Sequence, residues 1–128
     1  MRILLDTRTF LWMIIDAEHL SDTAREVFRE PANDVFLSAV SAWEITLKYG
    51  QGKLPLPQFP ERFVPEQRDR HGIDALSLDE QSIFHLHRLP ALHRDPFDRM
   101  LACQAIEHGL IILTPDHLIT QYPVRTLW

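Results

Sequence analysis

The sequence predicts an α/β fold in which helices cover both faces of a mostly parallel sheet. Short apolar segments alternate along the chain with longer segments whose apolar residues recur at helical spacing. Parallel strands need long crossover connections, and helices between successive strands supply them. The 128 residues are expected to form one domain, 1–128, because a chain of this length can bury a sizeable core.

The first half of the chain is expected to supply two strands and three helices. Ala24, Val27 and Phe28 share one face at helical spacing, and the Asn33-Asp34 pair is typical of a turn before a strand. The predicted elements are a strand at 2–5, a helix at 7–15, a helix at 21–30, a strand at 35–37 and a helix at 41–49.

The second half begins with a proline- and glycine-rich stretch that predicts a loop or a broken helical excursion at 50–65. Pro96 suits the first position of a helix, and Gly109 suits the position just past its end. The further predicted elements are a strand at 73–78, a helix at 79–88, a helix at 96–108, a strand at 110–113, a short helix at 115–120 and a strand at 124–127.

Composition restricts the classes of function. The net charge of −5 argues against a protein that binds nucleic acid through a basic surface, but it is compatible with a nuclease whose acids hold a cation. Cys103 is the single cysteine, so no internal disulfide is expected and a reducing compartment is favoured. The longest apolar run has six residues, far fewer than the roughly 20 that cross a bilayer. We therefore expect a soluble, cytoplasmic protein.

Four acidic residues lie at equivalent places in the alternation of strands and helices. Asp6 and Asp116 each follow a predicted strand, and Glu44 and Asp98 lie in the first turns of predicted helices. These places share one edge of a parallel sheet, so the four acids are expected to converge. Two carboxylates about 4 Å apart repel by about 4 kcal/mol at an effective dielectric of about 20. A divalent cation that prefers oxygen ligands, Mg²⁺ or Mn²⁺, would relieve this repulsion.

Two of the four acids also have an ordinary structural explanation. Ser41 and Glu44 match the S-x-x-E capping box, in which the acid returns to the backbone of the serine. Asp116 follows Thr114 and a proline, as a first-turn acid follows an N-cap. Asp6 has no comparable explanation.

The stretch HRDPFDRM, residues 93–100, carries two acids around a proline. Asp95 is expected to be the N-cap of the following helix, with a direct or water-mediated part in a metal site as the alternative. Asp98 is the expected metal ligand, although a first-turn acid also interacts favourably with the helix dipole. Residues three apart share a helix face, so Asp95 stays near the cluster in either role.

The segments ILLDTRTFLW, SAVSAWEI, LPALHRDPFDRMLACQA and ILTPDHLITQYPVRTLW resemble successive blocks of the PIN-domain family, in particular VapC-like toxins of bacterial toxin–antitoxin pairs. The resemblance covers nearly the whole chain. It implies a three-layer α/β/α sandwich and a Mg²⁺- or Mn²⁺-dependent ribonuclease whose acidic residues match Asp6, Glu44, Asp98 and Asp116. Arg8 departs from the histidine usual in similar members, which leaves the role of this side chain open.

The expected chemistry is metal-assisted hydrolysis of RNA phosphodiester bonds. Thr7 and Thr114 are candidates for orienting a carboxylate or water, although a threonine beside a strand end is often a cap. Four basic residues are candidates for contacting the RNA backbone: Arg8, Lys48, Arg94 and Arg99. The resemblance further implies a small antitoxin whose tail covers the acidic groove, and a homodimer.

Other functions are weaker alternatives. A zinc site can be drawn from His85, His87, His93 and Asp95, but residues two apart on a helix point in nearly opposite directions. A phosphoacceptor receiver domain would need paired acids after the first strand and a lysine after the last strand, and the chain has neither. A catalytically silent PIN fold that only binds a protein partner is not distinguishable from an enzyme by sequence.

Overall fold

The computed structural model describes all 128 residues and has a five-stranded parallel sheet at its centre. The strands are β1 (Arg2–Leu5), β2 (Asp34–Ser38), β3 (Asp74–Leu76), β4 (Ile111–Leu113) and β5 (Arg125–Leu127). Their order in the sheet is β3-β2-β1-β4-β5, and every neighbouring pair is parallel. The predicted α/β class with a parallel sheet is therefore confirmed.

Six α-helices connect the strands. They are α1 (Thr7–Ile15), α2 (Asp22–Arg29), α3 (Ala39–Gly50), α4 (Pro60–Arg70), α5 (Glu80–Phe84) and α6 (Pro96–His108). Short 3-10 segments follow at Ala17–His19, His85–Arg88 and Ile119–Gln121. None of the helices has the length and apolar character that crossing a bilayer requires.

The sheet is covered on both faces because side chains alternate along its strands. In β1, Ile3 and Leu5 belong to a cluster with α1 to α4, whereas Leu4 belongs to a second cluster with α6. Strand β4 repeats this pattern, with Ile112 on the α6 side. All of these side chains are at most 5% exposed, so both clusters form dry cores.

The direction in which successive strands are added to the sheet reverses between β1 and β4. Successive strands first move outward from β1 to β3, and the chain then returns past β1 to add β4 and β5 on the other side. Such a switch point opens a crevice at the carboxyl ends of the two central strands, where ligands bind in open α/β sheets. This strand order also differs from the 2-1-3-4-5 order of receiver domains, so the receiver alternative is wrong.

Helix α4 was predicted only in part. The loop interpretation is correct up to Phe59, but Pro60–Arg70 is helical and continues through Pro65. Pro60 suits the first helical position because it has no N–H to leave unpaired. Burial of Phe63 and Val64 in the first cluster then stabilises a helix that the internal proline disfavours.

Two predicted helices near the end of the chain differ from the structure. The segment at 79–88 is α-helical only over Glu80–Phe84 and continues as the 3-10 segment His85–Arg88. The helix at 115–120 was wrong, since only Ile119–Gln121 forms one 3-10 turn. The strand and helix bounds at Arg2–Leu5, Thr7–Ile15 and Pro96–His108 agree with the prediction.

A buried polar link joins helices on opposite faces of the sheet. Ser38 is the N-cap of α3, and its hydroxyl accepts the Val40 N–H at 2.9 Å and donates to the Gln104 side chain of α6. The Gln104 amide nitrogen donates to the Ser77 carbonyl at 3.2 Å. Gln104 is fully buried, so these bonds satisfy groups that water cannot reach.

We predict that Gln104→Leu lowers the free energy of unfolding by about 1–3 kcal/mol, because the Ser38 hydroxyl and the Ser77 carbonyl each lose a partner. Urea denaturation measures the change. Gln81→Leu, on the exposed surface of α5, is the matched control and should change stability by less than about 0.5 kcal/mol. Equal stability of the two variants would show that the buried link contributes nothing.

Candidate metal centre

A groove of about 440 Å³ opens at the carboxyl edge of the sheet. Its acidic lining residues are Asp6, Asp16, Glu44, Asp95, Asp98 and Asp116. All four acids predicted from the sequence therefore meet in one groove, together with Asp95. They come from the ends of β1 and β4, the second turn of α3 and the first turn of α6, at the shared edge of the parallel sheet. Glu44 was predicted in a first turn, but α3 begins two residues earlier, at Ala39.

Asp6 is held rigidly at the end of β1. One carboxylate oxygen accepts the Thr9 N–H at 2.7 Å, which makes Asp6 the N-cap of α1, and the other accepts the Thr114 hydroxyl. The side chain is buried, which raises the pKa of its carboxyl, while the hydrogen bonds from Thr114 and Thr9 act in the opposite direction. This capping role was not predicted, although an aspartate directly before the first helical residue, Thr7, is a preferred N-cap.

Glu44 is buried in the groove, 6% exposed, and the Lys48 ammonium one turn later pairs with its carboxylate. The predicted capping box with Ser41 is wrong. Helix α3 begins at Ala39 with Ser38 as N-cap, so Ser41 is the third helical residue and its hydroxyl oxygen accepts the Thr7 hydroxyl at 2.9 Å. Glu44 is therefore free of the capping role that competed with a functional one.

Asp95 is the N-cap of α6, as predicted, and its carboxylate accepts the Phe97 N–H at 2.8 Å and the Asp98 N–H at 3.3 Å. Burial is the largest cause that raises the pKa of Asp98, the carboxylates of Asp95, Asp6 and Glu44 add to it in that order, and together these effects bring the pKa to about 7. His93 acts in the opposite direction. The protein alone therefore stabilises the Asp98 anion poorly.

Asp116 lies after β4, and one carboxylate oxygen accepts the Leu118 N–H at 2.9 Å. Its own N–H donates to the Thr114 hydroxyl oxygen at 3.0 Å, and the same hydroxyl donates to Asp6. Thr114 thus connects two of the groove acids, which is the orienting position expected for it. The N-cap explanation is wrong, because no helix begins at Pro115; Thr114 and Asp116 instead accept backbone N–H groups within a turn.

His93 is the site residue that sequence reasoning did not assign to the acidic cluster. Its Nε2 lies 3.0 Å from an Asp98 oxygen and 3.4 Å from an Asp116 oxygen. The zinc set drawn with His85 and His87 is not assembled, because His85 pairs with Glu107 at 3.3 Å and His87 is exposed. The position of His93 in HRDPFD, beside Asp95 and Asp98, is the feature of the sequence that could have assigned it to the acidic cluster.

Two of the four candidate RNA contacts line the groove, Arg8 and Lys48, and Lys53 joins them without having been predicted. Arg94 is exposed but does not line the groove. Arg99 points elsewhere, because its guanidinium donates to the Pro90 carbonyl at 2.9 Å and to the Tyr122 hydroxyl at 3.3 Å. The apolar wall consists of Leu11, Trp12, Ile15, Ile45 and Leu54.

The donor set suits a hard divalent cation. Carboxylate oxygens are the ligands that Mg²⁺ and Mn²⁺ prefer, and Asp98 and Asp116 offer oxygens within 4.8 Å of each other. The pKa of Asp98 is raised first by burial and then by repulsion from the neighbouring carboxylates. A dication between them would convert this repulsion into attraction.

Comparison with known proteins finds a curated relative. Ribonuclease VapC16 from Mycobacterium tuberculosis (strain ATCC 25618 / H37Rv) is 38% identical over 69 residues, which are 54% of this chain and 48% of that protein. The chain thus spans about half the length of this curated relative.

Solved structures share the fold over nearly the full chain. DNA-bound VapBC2 from Rickettsia felis superposes with a TM-score of 0.74 at 15% identity, covering 99% of this chain and 98% of that one. DNA-bound VapBC from Salmonella typhimurium gives 0.69 at 21% identity, with 99% and 97% covered. A toxin–antitoxin complex from Klebsiella pneumoniae gives 0.60 at 13% identity, with 98% and 96% covered.

At these identities the structures establish the fold alone. The sequence itself is matched by the family model described as PIN domain, over residues 3–124. This match includes every acid of the groove, both central strands and α6. The chain belongs to the PIN domain family.

Proposed function

We propose that this chain is a ribonuclease that uses Mg²⁺ or Mn²⁺ to hydrolyse RNA phosphodiester bonds, and that it is the toxin of a toxin–antitoxin pair. The observation that carries the proposal is the convergence of Asp6, Glu44, Asp98 and Asp116 in one groove. Separate structural roles do not explain why acids so distant in sequence share one groove. The raised pKa of Asp98 supports a cation as the missing partner of the cluster.

Asp6, Glu44, Asp98 and Asp116 would hold the cation, and Asp95 lies close enough to take part through a water. When bound, such an ion lowers the pKa of a water and stabilises charge on the phosphoryl oxygens and the leaving group. The chain keeps these carboxylates in place. Thr9 and Thr114 fix both oxygens of Asp6, and Thr7 bonds to Ser41 beside Glu44 on α3.

The rest of the groove suits a nucleic-acid strand. Arg8, Lys48 and Lys53 line it and can neutralise backbone phosphates beside the acidic centre. Trp12 offers an aromatic wall, although His19 stacks on its ring with centroids 4.9 Å apart. The net charge of −5 therefore conceals a local arrangement in which cations flank the acids.

The relatives support both halves of the proposal. One is named a ribonuclease, and several are named as VapBC or toxin–antitoxin complexes. We propose by analogy a cognate antitoxin that covers the groove, a homodimer, and action on RNA in the cytoplasm by the single domain 1–128. An antitoxin that covers the groove would compete with RNA for the basic residues that line it, Arg8, Lys48 and Lys53.

We predict that Asp6→Asn and Asp98→Asn each reduce Mn²⁺-dependent RNA cleavage by more than about 100-fold, since loss of even an outer partner of a metal ligand costs about 10–100-fold. Both variants should remain folded, because Asn is also a good N-cap and replaces the Asp6 cap. Gel-based cleavage of tRNA, rRNA and mRNA measures the effect, with circular dichroism as the check on folding.

Asp69→Asn, an exposed acid on α4, is the matched control and should cleave like the unmodified protein. Cleavage that persists undiminished in the Asp6/Asp98 double variant would contradict the mechanism. Absence of cleavage by the unmodified protein on every RNA, with or without Mn²⁺, would instead favour the catalytically silent binding module.

We predict that the cation-free protein loses stability between pH 4 and pH 7 through Asp98. The folded pKa of about 7 lies above the ordinary value of 3.8, so the folded state holds the proton more tightly and this stabilisation disappears as the pH rises through 7. The loss is at most about 4 kcal/mol, at about 1.4 kcal/mol per pKa unit. Urea unfolding in EDTA across this range measures it.

Asp98→Asn removes the titrating group, so its unfolding free energy should change less with pH than that of the unmodified protein. Mg²⁺ or Mn²⁺ at pH 7.5 should stabilise the unmodified protein much more than the variant, because only the anion binds the cation well. If the unfolding free energies of the two proteins change equally with pH, the pH dependence does not come from Asp98.

We predict that Arg8 contacts the RNA backbone. In an Asp98→Asn background, which binds without cleaving, Arg8→Gln should reduce the slope of log affinity against log salt by about 0.7, the value for one single-strand phosphate contact. Fluorescence anisotropy between 50 and 200 mM salt measures the slope. Arg94→Gln is the matched control outside the groove, and an equal effect of both variants would contradict a specific role for Arg8.

A further inference from the structure

His93 lies between two acids of the groove. Its imidazole is 15% exposed, and Nε2 is 3.0 Å from the Asp98 carboxylate and 3.4 Å from that of Asp116. The two acids come from different elements, the first turn of α6 and the segment after β4. Nε2 hydrogen-bonds to Asp98 and lies within ion-pair distance of Asp116, so one imidazole contacts both carboxylates.

The orientation of this ring is set by its surroundings. The Asp95 N–H donates to Nδ1 at 3.3 Å, so Nδ1 is an acceptor and the ring proton lies on Nε2. The His93 N–H donates to the Tyr122 hydroxyl at 3.0 Å, and Arg99 donates to the same hydroxyl. The imidazole is thus aimed at the two carboxylates from one side of the groove.

A direct ligand role fits this geometry poorly. Coordination through Nε2 would move the proton to Nδ1, where it would face the Asp95 N–H with two donors opposed. Donation from Nε2–H to Asp98 keeps both hydrogen bonds of the ring. The groove therefore offers carboxylate oxygens to a cation, and the imidazole supports them from behind.

We infer that His93 is a positioning residue of the cation site, holding Asp98 and Asp116 at the separation and angle at which both bind one ion. The inference rests on the proposed function, because it assumes that these acids bind Mg²⁺ or Mn²⁺. Groups that hydrogen-bond to metal ligands fix their orientation and contribute strongly to affinity. Without His93, the two carboxylates turn apart to lower their mutual repulsion.

The test measures Mn²⁺ affinity in the absence of RNA, by isothermal titration calorimetry or by electron paramagnetic resonance of free Mn²⁺. We expect His93→Ala to weaken binding by about 10–100-fold. His93→Gln should stay within about threefold of the unmodified protein, because its carboxamide N–H reaches the place of Nε2–H. Thermal unfolding of each variant shows that it is folded.

His85→Ala is the matched control. His85 also pairs with a carboxylate of α6, that of Glu107 at 3.3 Å, but Glu107, unlike Asp98 and Asp116, does not line the groove. Its loss removes an equivalent imidazole–carboxylate pair and should leave Mn²⁺ affinity unchanged. Equal weakening by both alanine variants would overturn the inference, because it would reflect general loosening of α6.

The remaining outcomes separate this inference from the proposed function. If the unmodified protein binds Mn²⁺, Asp98→Asn abolishes binding and His93→Ala does not weaken it, the positioning role is wrong and the cation site stands. Tighter binding by His93→Ala would likewise overturn it, since the imidazole would then compete with the ion. If the unmodified protein binds no Mn²⁺, both the cation site and the role of His93 are wrong.

Discussion

Several buried or half-buried carboxylates share one edge of the sheet, and their mutual repulsion is the constraint around which the groove is built. Backbone N–H groups at the starts of helices and turns relieve part of it. Asp6 accepts from Thr9, and Asp95 accepts from Phe97. Asp98 has no comparable donor from a following turn, and burial together with the neighbouring carboxylates raises its pKa. A cation would therefore stabilise the Asp98 anion, which no backbone N–H supports.

The parallel sheet determines which residues meet at this edge. Leu5 of β1 pairs with Leu113 of β4, so the residues that follow them, Asp6 and Thr114, emerge side by side and bond to each other. The switch in strand order at the same place leaves room above them for a groove. A shift of β4 by one residue would turn the Thr114 side chain to the other face and break this link.

A role in capping a helix is compatible with a role in binding a cation at the acids of the groove. Asp95 caps α6 and also lines the groove, and the Asp6 carboxylate caps α1 at the bottom of the same groove. The first turn of a helix provides both the N–H groups that stabilise an anion and the edge on which ligands bind. An acid at such a position therefore serves the fold while it remains available to a cation through its unused lone pairs.

The sequence alone determined the alternation of strands and helices and the position of the four acids within it, because apolar periodicity and strand-end placement are local properties. Helix α4 escaped this reasoning, since burial of Phe63 and Val64 outweighs the local signal of Pro65. Only the tertiary structure decided that His93 faces Asp98 and Asp116, and that Lys53 rather than Arg99 reaches the groove. These side chains lie on loops or on helix faces, and packing against distant residues sets the direction in which they point. The periodic spacing of apolar residues in the sequence does not predict that direction.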